Sequence, residues 1–452
     1  MNICAIATQT GGALAIVRVS GPQAVEISSE IFKPFSKTKF TEQPSHSIAH
    51  GTIFKDETQE PLDDVMAAVF RSPRSFTGED TVEFYCHGSS YILNEILQLL
   101  ITHGCRMAEP GEFTKRAFLA GKLDLSQAEA VADLIASSNS ATHQLAMSAL
   151  RGNISSKLAS LRLELLRLTS LLELELDFSD HEDIEFADRT ELSQLAQTAA
   201  SHIAELAESF KIGQAVKNGV YVAIVGKTNV GKSTLLNQLL KEERAIVSDT
   251  HGTTRDTIED TITIDGITFR FVDTAGLRRT NDEIEQLGIE RTWKTIEKAQ
   301  IVLWVVDAPP TSDEVENMVE ATKNKTLLLV KNKADLQPVS SSPYVNKLPS
   351  VNISAKQGSG ISYLEKTIRL MANIPQLTEN TVIITSARHY DALMRANSQL
   401  NTVLHSLTSN SPSVLIAEDL RQVIRTLGEI TGGEITSNET LQNIFSHFCI
   451  GK

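Results

Sequence analysis

Apolar residues are grouped differently in successive stretches of the chain, and the grouping predicts its domains. Short apolar or alternating runs at 13–19, 65–70 and 81–85 predict strands, because a half-buried strand alternates between its two faces. The run 91–103 predicts a helix packed on those strands. Together these elements predict an α+β domain over residues 1–118.

The next predicted domain, residues 119–216, is helical. Ser126–Glu129 has the pattern of a capping box, which predicts a helix that begins there and runs to about Ser138. Leucines are dense from His143 to Leu176, and this density exceeds one narrow stripe. We therefore expect one long helix buried on more than one side, followed by another helix at 191–210.

Strand and helix patterns alternate over residues 217–374, which predicts an α/β domain with a parallel sheet. Helical patterns then return at 386–406 and 417–430, and a second capping box is predicted at Thr436–Glu439. Residues 375–452 are therefore predicted to be the second part of the helical domain. The simplest arrangement inserts the α/β domain into the helical domain.

A phosphate-binding motif marks the start of the α/β domain. Residues 226–233 read Gly-Lys-Thr-Asn-Val-Gly-Lys-Ser, between an apolar strand at 221–225 and a helix at 235–240. Backbone N–H groups at such a helix start surround a polyphosphate, and the helix dipole favours its negative charge. Lys232 is expected to reach the outer phosphates, and the Ser233 hydroxyl to ligate Mg²⁺.

Further segments follow in the order that a GTPase needs. Thr254, within Gly252–Asp256, is the candidate second hydroxyl ligand of Mg²⁺. Asp273 ends a predicted strand at 269–272, where a Walker-B aspartate holds the metal's ligand shell. The backbone N–H of Gly276 can meet the γ-phosphate, because no side chain blocks the approach.

Two more segments predict selectivity for guanine. Asp335 follows a predicted strand at 326–330, and its carboxylate can accept N–H donors from guanine N1 and N2, a pair that adenine does not offer. The backbone of Ser354–Lys356 can contact the guanine oxygen. The predicted GTP-binding residues are Asn229, Val230, Gly231, Lys232, Ser233, Thr234, Ser248, Asp249, Thr250, His251, Gly252, Thr253, Thr254, Asp273, Thr274, Ala275, Gly276, Asn332, Lys333, Ala334, Asp335, Ser354, Ala355 and Lys356.

The residue that orients water in Ras-like GTPases is missing. That residue is a glutamine, and its position holds Leu277, which has no hydrogen-bonding side chain. Hydrolysis is therefore either very slow or helped by another group. Asp282, Glu283 and Glu285 are acidic candidates, although any one of them read alone is an ordinary loop carboxylate.

Composition limits the binding partners and the cellular compartment that are expected for this protein. The net charge of −14 over 452 residues opposes broad non-specific nucleic-acid binding but not docking through a local basic patch. The four cysteines are scattered without metal-ligand spacing, as in a reduced cytosolic protein. No signal peptide and no apolar run long enough for a membrane span is seen, so we expect a cytoplasmic protein without a membrane partner.

The whole chain resembles the MnmE (TrmE) family of tRNA-modification GTPases. The resemblance rests on the GTPase motifs together with Phe76–Asp80, Pro110–Phe113, Lys122–Leu125 and the ending Phe448–Lys452. It implies a tetrahydrofolate-binding N-terminal domain that dimerises, a helical domain and an inserted GTPase domain. It also implies a homodimer that joins the flavoprotein MnmG in a heterotetramer and acts on tRNA. The expected product carries an aminomethyl or carboxymethylaminomethyl group at carbon 5 of the wobble uridine, formed with a one-carbon folate in its formyl or methylene form.

The resemblance also implies folate-binding residues, which are Arg18, Glu83, Lys122 and Lys452. Cations can meet the glutamate tail of a folate, and a carboxylate can bind the edge of its ring. Taken alone, Arg18 and Lys122 would be ordinary surface charges. Cys449 is implied as a candidate for chemistry near the folate carbon; the alternative is a small buried residue near the chain end.

For hydrolysis, the resemblance implies a K⁺ ion held by Asn229, Ser248, Thr250 and Thr253 as the GTPase domains of a dimer meet. Such an ion supplies positive charge where other GTPases use an arginine. Glu285 corresponds to a family glutamate that acts through water, which favours it over its acidic neighbours. The catalytic candidates are therefore Glu285, Lys232 and Cys449.

Two other functions stay open at this stage. One is a ribosome-assembly GTPase that reads RNA, a class that usually carries a second phosphate loop or an RNA-binding domain with a Gly-x-x-Gly loop. Neither feature is found in this sequence. The other is a folate-dependent one-carbon transferase with a regulatory GTPase, which differs from the family reaction only in its substrate.

Overall fold

The structure is a computed structural model whose described residues form two compact units. The first unit comprises Met1–Ala136, Ala146–Ala207 and Ala387–Lys452, and the second comprises Ser137–Leu145 and Glu208–Ser386. The second unit therefore interrupts the first in sequence. The described residues are 1–9, 11–55, 60–177, 189–241, 260–272, 295–336, 348–378, 380–409, 411–433, 438–446 and 448–451.

The N-terminal part of the first unit is a mixed sheet with helices packed against it. Its elements are β1 Asn2–Ile6, β2 Leu14–Ser20, α1 Ala24–Ile31, β3 Phe32–Pro34, β4 Ser47–Phe54, β5 Pro61–Phe70, β6 Thr81–His87, α2 Ser90–Thr102, β7 Cys105–Met107 and α3 Glu112–Leu119. The strand order among the described residues is β3-β4-β5-β6-β2-β1-β7. Alternate residues such as Val17, Val19 and Phe84 are fully buried with α1 and α2. The predicted α+β fold is confirmed.

Helices complete the first unit and connect it to the second. They are α4 Leu125–Ala136, α5 Ser140–Leu150, α6 Asn153–Asp177, α7 Arg189–Asn218, α11 Ala387–Thr408, α12 Ser413–Thr431 and α13 Asn438–Ser446. Within the described residues, no helix is both long enough and apolar enough to cross a membrane.

Two predictions about these helices are wrong. The single helix expected from His143 to Leu176 is broken into α5 and α6 at Gly152, whose φ of +83° suits glycine and ends a helix. The expectation of burial on several sides also fails. Leu158, Leu161, Leu165, Leu168 and Leu172 form one buried stripe along α6, whereas Leu163 is 67% exposed.

The capping box of α4 lies earlier than predicted. Asp124 Oδ1 accepts from the Gln127 backbone N–H at 2.9 Å, and Gln127 Oε1 accepts from the Asp124 N–H at 3.0 Å. Ser126 already lies inside the helix and donates to Asp124 at 2.8 Å. Glu129 pairs with Arg388 and His389 instead. The pattern Ser126–Glu129 is therefore not the capping box, because Asp124, two residues before Ser126, caps the helix. The box predicted at Thr436–Glu439 falls partly outside the described residues.

Glu129 joins α4 to the start of α11. Its two carboxylate oxygens lie 2.8 Å from Arg388 Nε and 2.8 Å from His389 Nε2. Arg388 also donates to the backbone oxygens of Glu429 and Ile430 at the end of α12. Burial alone raises the pKa of Glu129, but the bonds from His389 and the charge of Arg388 outweigh it and lower the pKa to about 2.

Glu129→Gln is expected to destabilise the helical part of the first unit by about 3 kcal/mol at pH 7, because the substitution leaves the Arg388 charge poorly compensated. The folded-state pKa is depressed from 4.5 to about 2, so this stabilisation is complete above about pH 4.5 and is lost as the pH falls toward 2. Urea unfolding followed by circular dichroism at pH 7 and pH 3 measures both effects. A difference between wild type and variant that does not shrink at pH 3 contradicts this assignment.

The second unit is a mostly parallel sheet with helices. Its described elements are β8 Val220–Val225, α8 Lys232–Lys241, β9 Asp260–Ile264, β10 Ile267–Phe271, β11 Ile301–Val306, α9 Ser312–Ala321, β12 Thr326–Lys331, β13 Ser350–Asn352 and α10 Ile361–Met371. The strand order in this part of the chain is β13-β12-β11-β8-β10-β9, in which only β9 and β10 pair antiparallel. β8 lies between β11 on one side and β10 on the other, so the later strands of the chain extend the sheet in both directions from it. Ligands of α/β sheets bind beyond the carboxyl ends of the strands at such a point.

Candidate functional site

The phosphate loop is the turn between β8 and α8. A Cβ atom added at Gly226 would collide with the backbone oxygen of Val305 on β11, and one at Gly231 would collide with the side-chain amide of Asn332. Gly231 also has a φ of +99°. The glycines of the motif are therefore required by the close approach of the loop to the neighbouring strand and to Asn332.

Lys232 begins α8 and turns its side chain back over the loop. Its Nζ donates to the backbone oxygens of Gly226 at 2.7 Å and Lys227 at 2.6 Å. Partial burial lowers the pKa of Lys232. An ammonium group held among loop carbonyls can exchange these neutral partners for phosphate oxygens, which bind it more strongly because they are charged.

Asn332 connects the phosphate loop with the loop after β13. Its Nδ2 donates to the Val230 backbone oxygen at 2.7 Å, and its Oδ1 accepts from the Ala355 N–H at 2.9 Å. Only 3% of the residue is exposed. Sequence reasoning placed Asn332 with the nucleotide-binding residues, and the structure shows that its amide holds three of their segments together.

Asp335 is exposed at the end of the segment after β12. Its Oδ1 accepts from the hydroxyl of fully buried Ser354 at 2.6 Å. This bond is the largest cause that lowers the pKa of Asp335, so the group is an ionised acceptor at neutral pH. A carboxylate has several lone pairs on two oxygens, so Asp335 keeps capacity for donors from a base while Ser354 fixes one oxygen.

Two ion pairs at this edge of the sheet were not predicted. Lys333, at a φ of +63°, donates to Asp307 Oδ2 at 2.6 Å after β11. Lys227 in the phosphate loop pairs with Glu314 of α9. Neither acidic partner belongs to a nucleotide-binding motif, and no local sequence signal links it to its lysine.

Of the remaining residues predicted for the GTP site, some lie within the described part of the chain and others lie outside it. Asn229 and Thr234 are exposed on the phosphate loop and α8, Asn229 has a φ of +59°, and Ser233 is half-buried. The structure therefore brings together the phosphate loop with the segments around Asn332 and Ser354. The predicted residues outside the described ones are Ser248, Asp249, Thr250, His251, Gly252, Thr253, Thr254, Asp273, Thr274, Ala275, Gly276, Glu285 and Lys452.

A second group of predicted residues meets on the N-terminal sheet. Arg18 on β2 and Glu83 on β6 are direct cross-strand partners, and Arg18 Nε lies 2.7 Å from Glu83 Oε1. Tyr85 donates to the other Glu83 oxygen at 3.1 Å. The Arg18 guanidinium also lies 5.4 Å from the ring centroid of Phe113. Tyr85 and Phe113 therefore hold the Arg18–Glu83 pair in place.

The C-terminal tail lies against the same group. Arg18 Nη1 donates to the Gly451 backbone oxygen at 3.3 Å, and the Gly111 N–H donates to the Cys449 oxygen at 3.4 Å. Cys449 is exposed, so its interpretation as a small buried residue is wrong. Lys122 is exposed, and its side chain passes close to the turn at Gly78.

Comparison with known proteins shows the family of this chain. The family described as "GTP-binding protein TrmE N-terminus" matches residues 2–122, and the family described as "MnmE helical domain" matches residues 125–449. This chain belongs to the MnmE (TrmE) family of tRNA-modification GTPases. A relative from Bacteroides thetaiotaomicron with the name "tRNA modification GTPase MnmE" is 52% identical over 465 residues, covering 100% of this chain and 99% of that protein. A relative of the same name from Flavobacterium johnsoniae is 48% identical over 467 residues, again covering 100% and 99%.

Membership of the MnmE family fixes the main activity and the fold class. The protein is a GTPase that acts in tRNA modification. Its α+β N-terminal part, helical part and inserted GTPase part agree with the multidomain fold expected from the sequence. The exact domain bounds predicted from the sequence stay predictions.

Proposed function

We propose that this MnmE-family protein works with the flavoprotein MnmG in a heterotetramer in the cytoplasm. The pair adds an aminomethyl or carboxymethylaminomethyl group to carbon 5 of the wobble uridine of certain tRNAs. A one-carbon tetrahydrofolate in its formyl or methylene form supplies the carbon. The observation that carries the folate part is the Arg18–Glu83 pair, built on adjacent strands beside the C-terminal tail.

The phosphate loop binds and orients GTP in this proposal. Lys232 exchanges its loop carbonyls for phosphate oxygens, and Asp335 accepts donors from the guanine. Ser233 and Thr254 are the proposed ligands of Mg²⁺, and Asn229, Ser248, Thr250 and Thr253 those of K⁺; hydroxyl and amide oxygens suit both cations. When bound, these ions supply positive charge next to the phosphates. Glu285 holds the attacking water where Leu277 cannot.

The cycle of GTP binding and hydrolysis changes conformation and takes no direct part in the carbon chemistry. Support for this separation comes from the two groups of residues, since the Arg18–Glu83 pair belongs to the first unit and Lys232 to the second. A homodimer would then bring two phosphate loops and two folate sites into one assembly. Cys449, which is exposed on the C-terminal tail two residues before Gly451, is the proposed thiol for chemistry near the folate carbon.

Replacing Arg18 by alanine is expected to weaken folate binding by about 10- to 100-fold, since one charge-assisted bond to the ligand is lost and Glu83 loses its partner. Calorimetric titration of formyl- and methylene-tetrahydrofolate into the full chain measures this change. Arg395→Ala is the matched control, because Arg395 makes a 2.7 Å ion pair with Glu429 in the helical part. Unchanged folate affinity in Arg18→Ala would remove Arg18 from the site.

Analysis of the wobble uridine in cellular tRNA tests the whole proposal. A strain that lacks this gene should lose the modified nucleoside in hydrolysed tRNA, measured by mass spectrometry, and the wild-type gene should restore it. Unmodified tRNA after expression of Cys449→Ser would support the thiol, whereas normal modification would leave Cys449 without a chemical role. Normal tRNA in the deletion strain, together with abnormal ribosome profiles, would favour the ribosome-assembly alternative. Labelled folate carbon in a small molecule instead of tRNA would favour the one-carbon transferase.

A further inference from the structure

Asn139 lies at the N-terminus of α5 and uses both ends of its side-chain amide. Its Oδ1 accepts from the Thr142 backbone N–H at 2.8 Å, which caps the helix. Its Nδ2 donates to Thr268 Oγ1 at 2.9 Å, on strand β10 of the GTPase sheet. One side chain therefore starts a helix and holds a strand that lies 129 residues later in the chain.

The strand that Asn139 holds belongs to a tight hairpin. β9 and β10 pair up to Ile264 and Ile267, and the turn residues Asp265 and Gly266 have φ values of +47° and +77°. Positive φ at both positions is the conformation of a type I′ turn. The backbone oxygen of Gly266 accepts from the Ala141 N–H at 3.2 Å. The start of α5 thus contacts both the strand and the turn of the hairpin.

Packing supports these polar contacts. Ala141 and Leu145 of α5 are only 4% and 6% exposed, and they lie in one hydrophobic core with Ile262 of β9 and Ile267 of β10. A Cβ atom at Gly266 would collide with the hydroxyl of Ser140, so the turn and the helix are in close contact. The hairpin is therefore fixed from one side by a segment that lies outside every GTPase motif.

In the chain, the hairpin lies between two segments with predicted Mg²⁺-site residues. Thr254 precedes β9 in the chain, and Asp273 directly follows Val272, the residue after β10. The Val272 N–H donates to the Val222 oxygen on β8, the strand that leads into the phosphate loop. The position of β10 is consequently tied to that of β8 and so to the start of the phosphate loop.

We propose that Asn139 is a positioning residue for GTP hydrolysis. It lies outside every GTPase motif and acts through Thr268, by holding the β9–β10 hairpin in place beside β8, the strand that leads into the phosphate loop. The competing interpretation is that Asn139 only caps α5. The two roles use different atoms of one amide, so substitutions can separate them.

The experiment combines one change at each end of the bond with a control for each. Asn139→Ser keeps a hydroxyl that can cap the helix but removes the Nδ2 donor and shortens the side chain. Thr268→Val removes the acceptor without touching the cap, and valine suits a strand. Thr268→Ser keeps the hydroxyl. Each full-length variant is assayed for kcat and KM of GTP hydrolysis in Mg²⁺ and K⁺, for GDP affinity and for melting temperature.

We expect Asn139→Ser and Thr268→Val each to lower kcat by about 3- to 10-fold, the size of one lost hydrogen bond. KM and GDP affinity should stay as in wild type, the melting temperature should fall by no more than about 4 °C, the size expected for one lost hydrogen bond, and Thr268→Ser should retain wild-type kcat. The double variant should be no slower than either single variant, because both remove the same contact.

Other results overturn the proposal. Wild-type kcat in Thr268→Val means that the bond does not position the hairpin. A loss in Asn139→Ser alone means that Asn139 acts through something other than its bond to Thr268, and multiplied losses in the double variant mean that the two residues act separately. If Thr268→Val does not fold, Asn139→Ser decides alone: wild-type kcat in that variant, with a normal melting temperature, sinks the proposal.

Discussion

Replacing Asp335 by asparagine is expected to weaken GTP binding by about 100-fold or more and to strengthen binding of xanthosine triphosphate. Guanine N1 and N2 present donors, and an asparagine amide would turn a donor toward them. Xanthine carries an oxygen at carbon 2, which can accept from that amide. The Ser354 hydroxyl can still donate to the remaining oxygen, so the loop around residue 335 should keep its shape.

Fluorescent GDP and XDP titrations of the full chain measure the switch in affinity. Asp313→Asn, an exposed change in α9, serves as the control and should bind GDP as wild type does. Equal GDP affinity in Asp335→Asn and wild type, without a gain for XDP, would show that Asp335 does not contact the base.

Replacing Lys232 by alanine is expected to lower kcat for GTP hydrolysis by about 100- to 1,000-fold, the cost of losing one preorganised charge at the reacting phosphate. The structure holds this ammonium within the phosphate loop, on the oxygens of Gly226 and Lys227, so little rearrangement is needed to reach phosphate. Steady-state hydrolysis in Mg²⁺ and K⁺, with nucleotide affinity measured separately, distinguishes a loss of turnover from a loss of binding.

Lys227→Ala is the control for Lys232→Ala. Lys227 lies in the same loop, but its amine pairs with Glu314 on the neighbouring helix. Its removal should change kcat by no more than about 3-fold, as expected for an exposed ion pair. Equal losses in the two variants would mean that loop structure, and not the Lys232 charge, accounts for the effect.

The sequence predicted the phosphate-loop region well because its determinants are local. A strand, a glycine-rich turn and a helix follow each other directly, and β8 and α8 lie where they were expected. The strand before Asp335 is likewise confirmed as β12. Each of these elements is a short apolar run bounded by turn residues, so few alternative conformations compete.

Errors arose where two local signals competed. Asp124 and Ser126 are both good cap residues, and only the structure shows that Asp124 caps α4 while Glu129 pairs with Arg388. Gly152 lies inside the leucine-rich stretch from which one helix was predicted, yet its left-handed φ ends α5. A glycine inside a helical pattern lowers helix stability by too little for the sequence alone to show whether the helix continues through it or ends there.

Contacts between distant segments could not be predicted from local sequence patterns. Asn139 and Thr268, or Arg18 and Gly451, are neither motif partners nor close in sequence, and their pairing depends on how the elements pack. The folate residues were found through the resemblance to a family. Without the family resemblance, Arg18 would have been interpreted as a surface charge. The structure instead places it against Glu83 and Phe113.

Hydrolysis of GTP and ATP by the full-length protein, compared in K⁺ and Na⁺ buffers of equal ionic strength with Mg²⁺ present, tests whether the protein is a K⁺-dependent GTPase that discriminates guanine. We expect rapid turnover of GTP in K⁺, much slower turnover in Na⁺, and none of ATP in either buffer. Equal hydrolysis of both nucleotides, or no GTP turnover in K⁺, would contradict it.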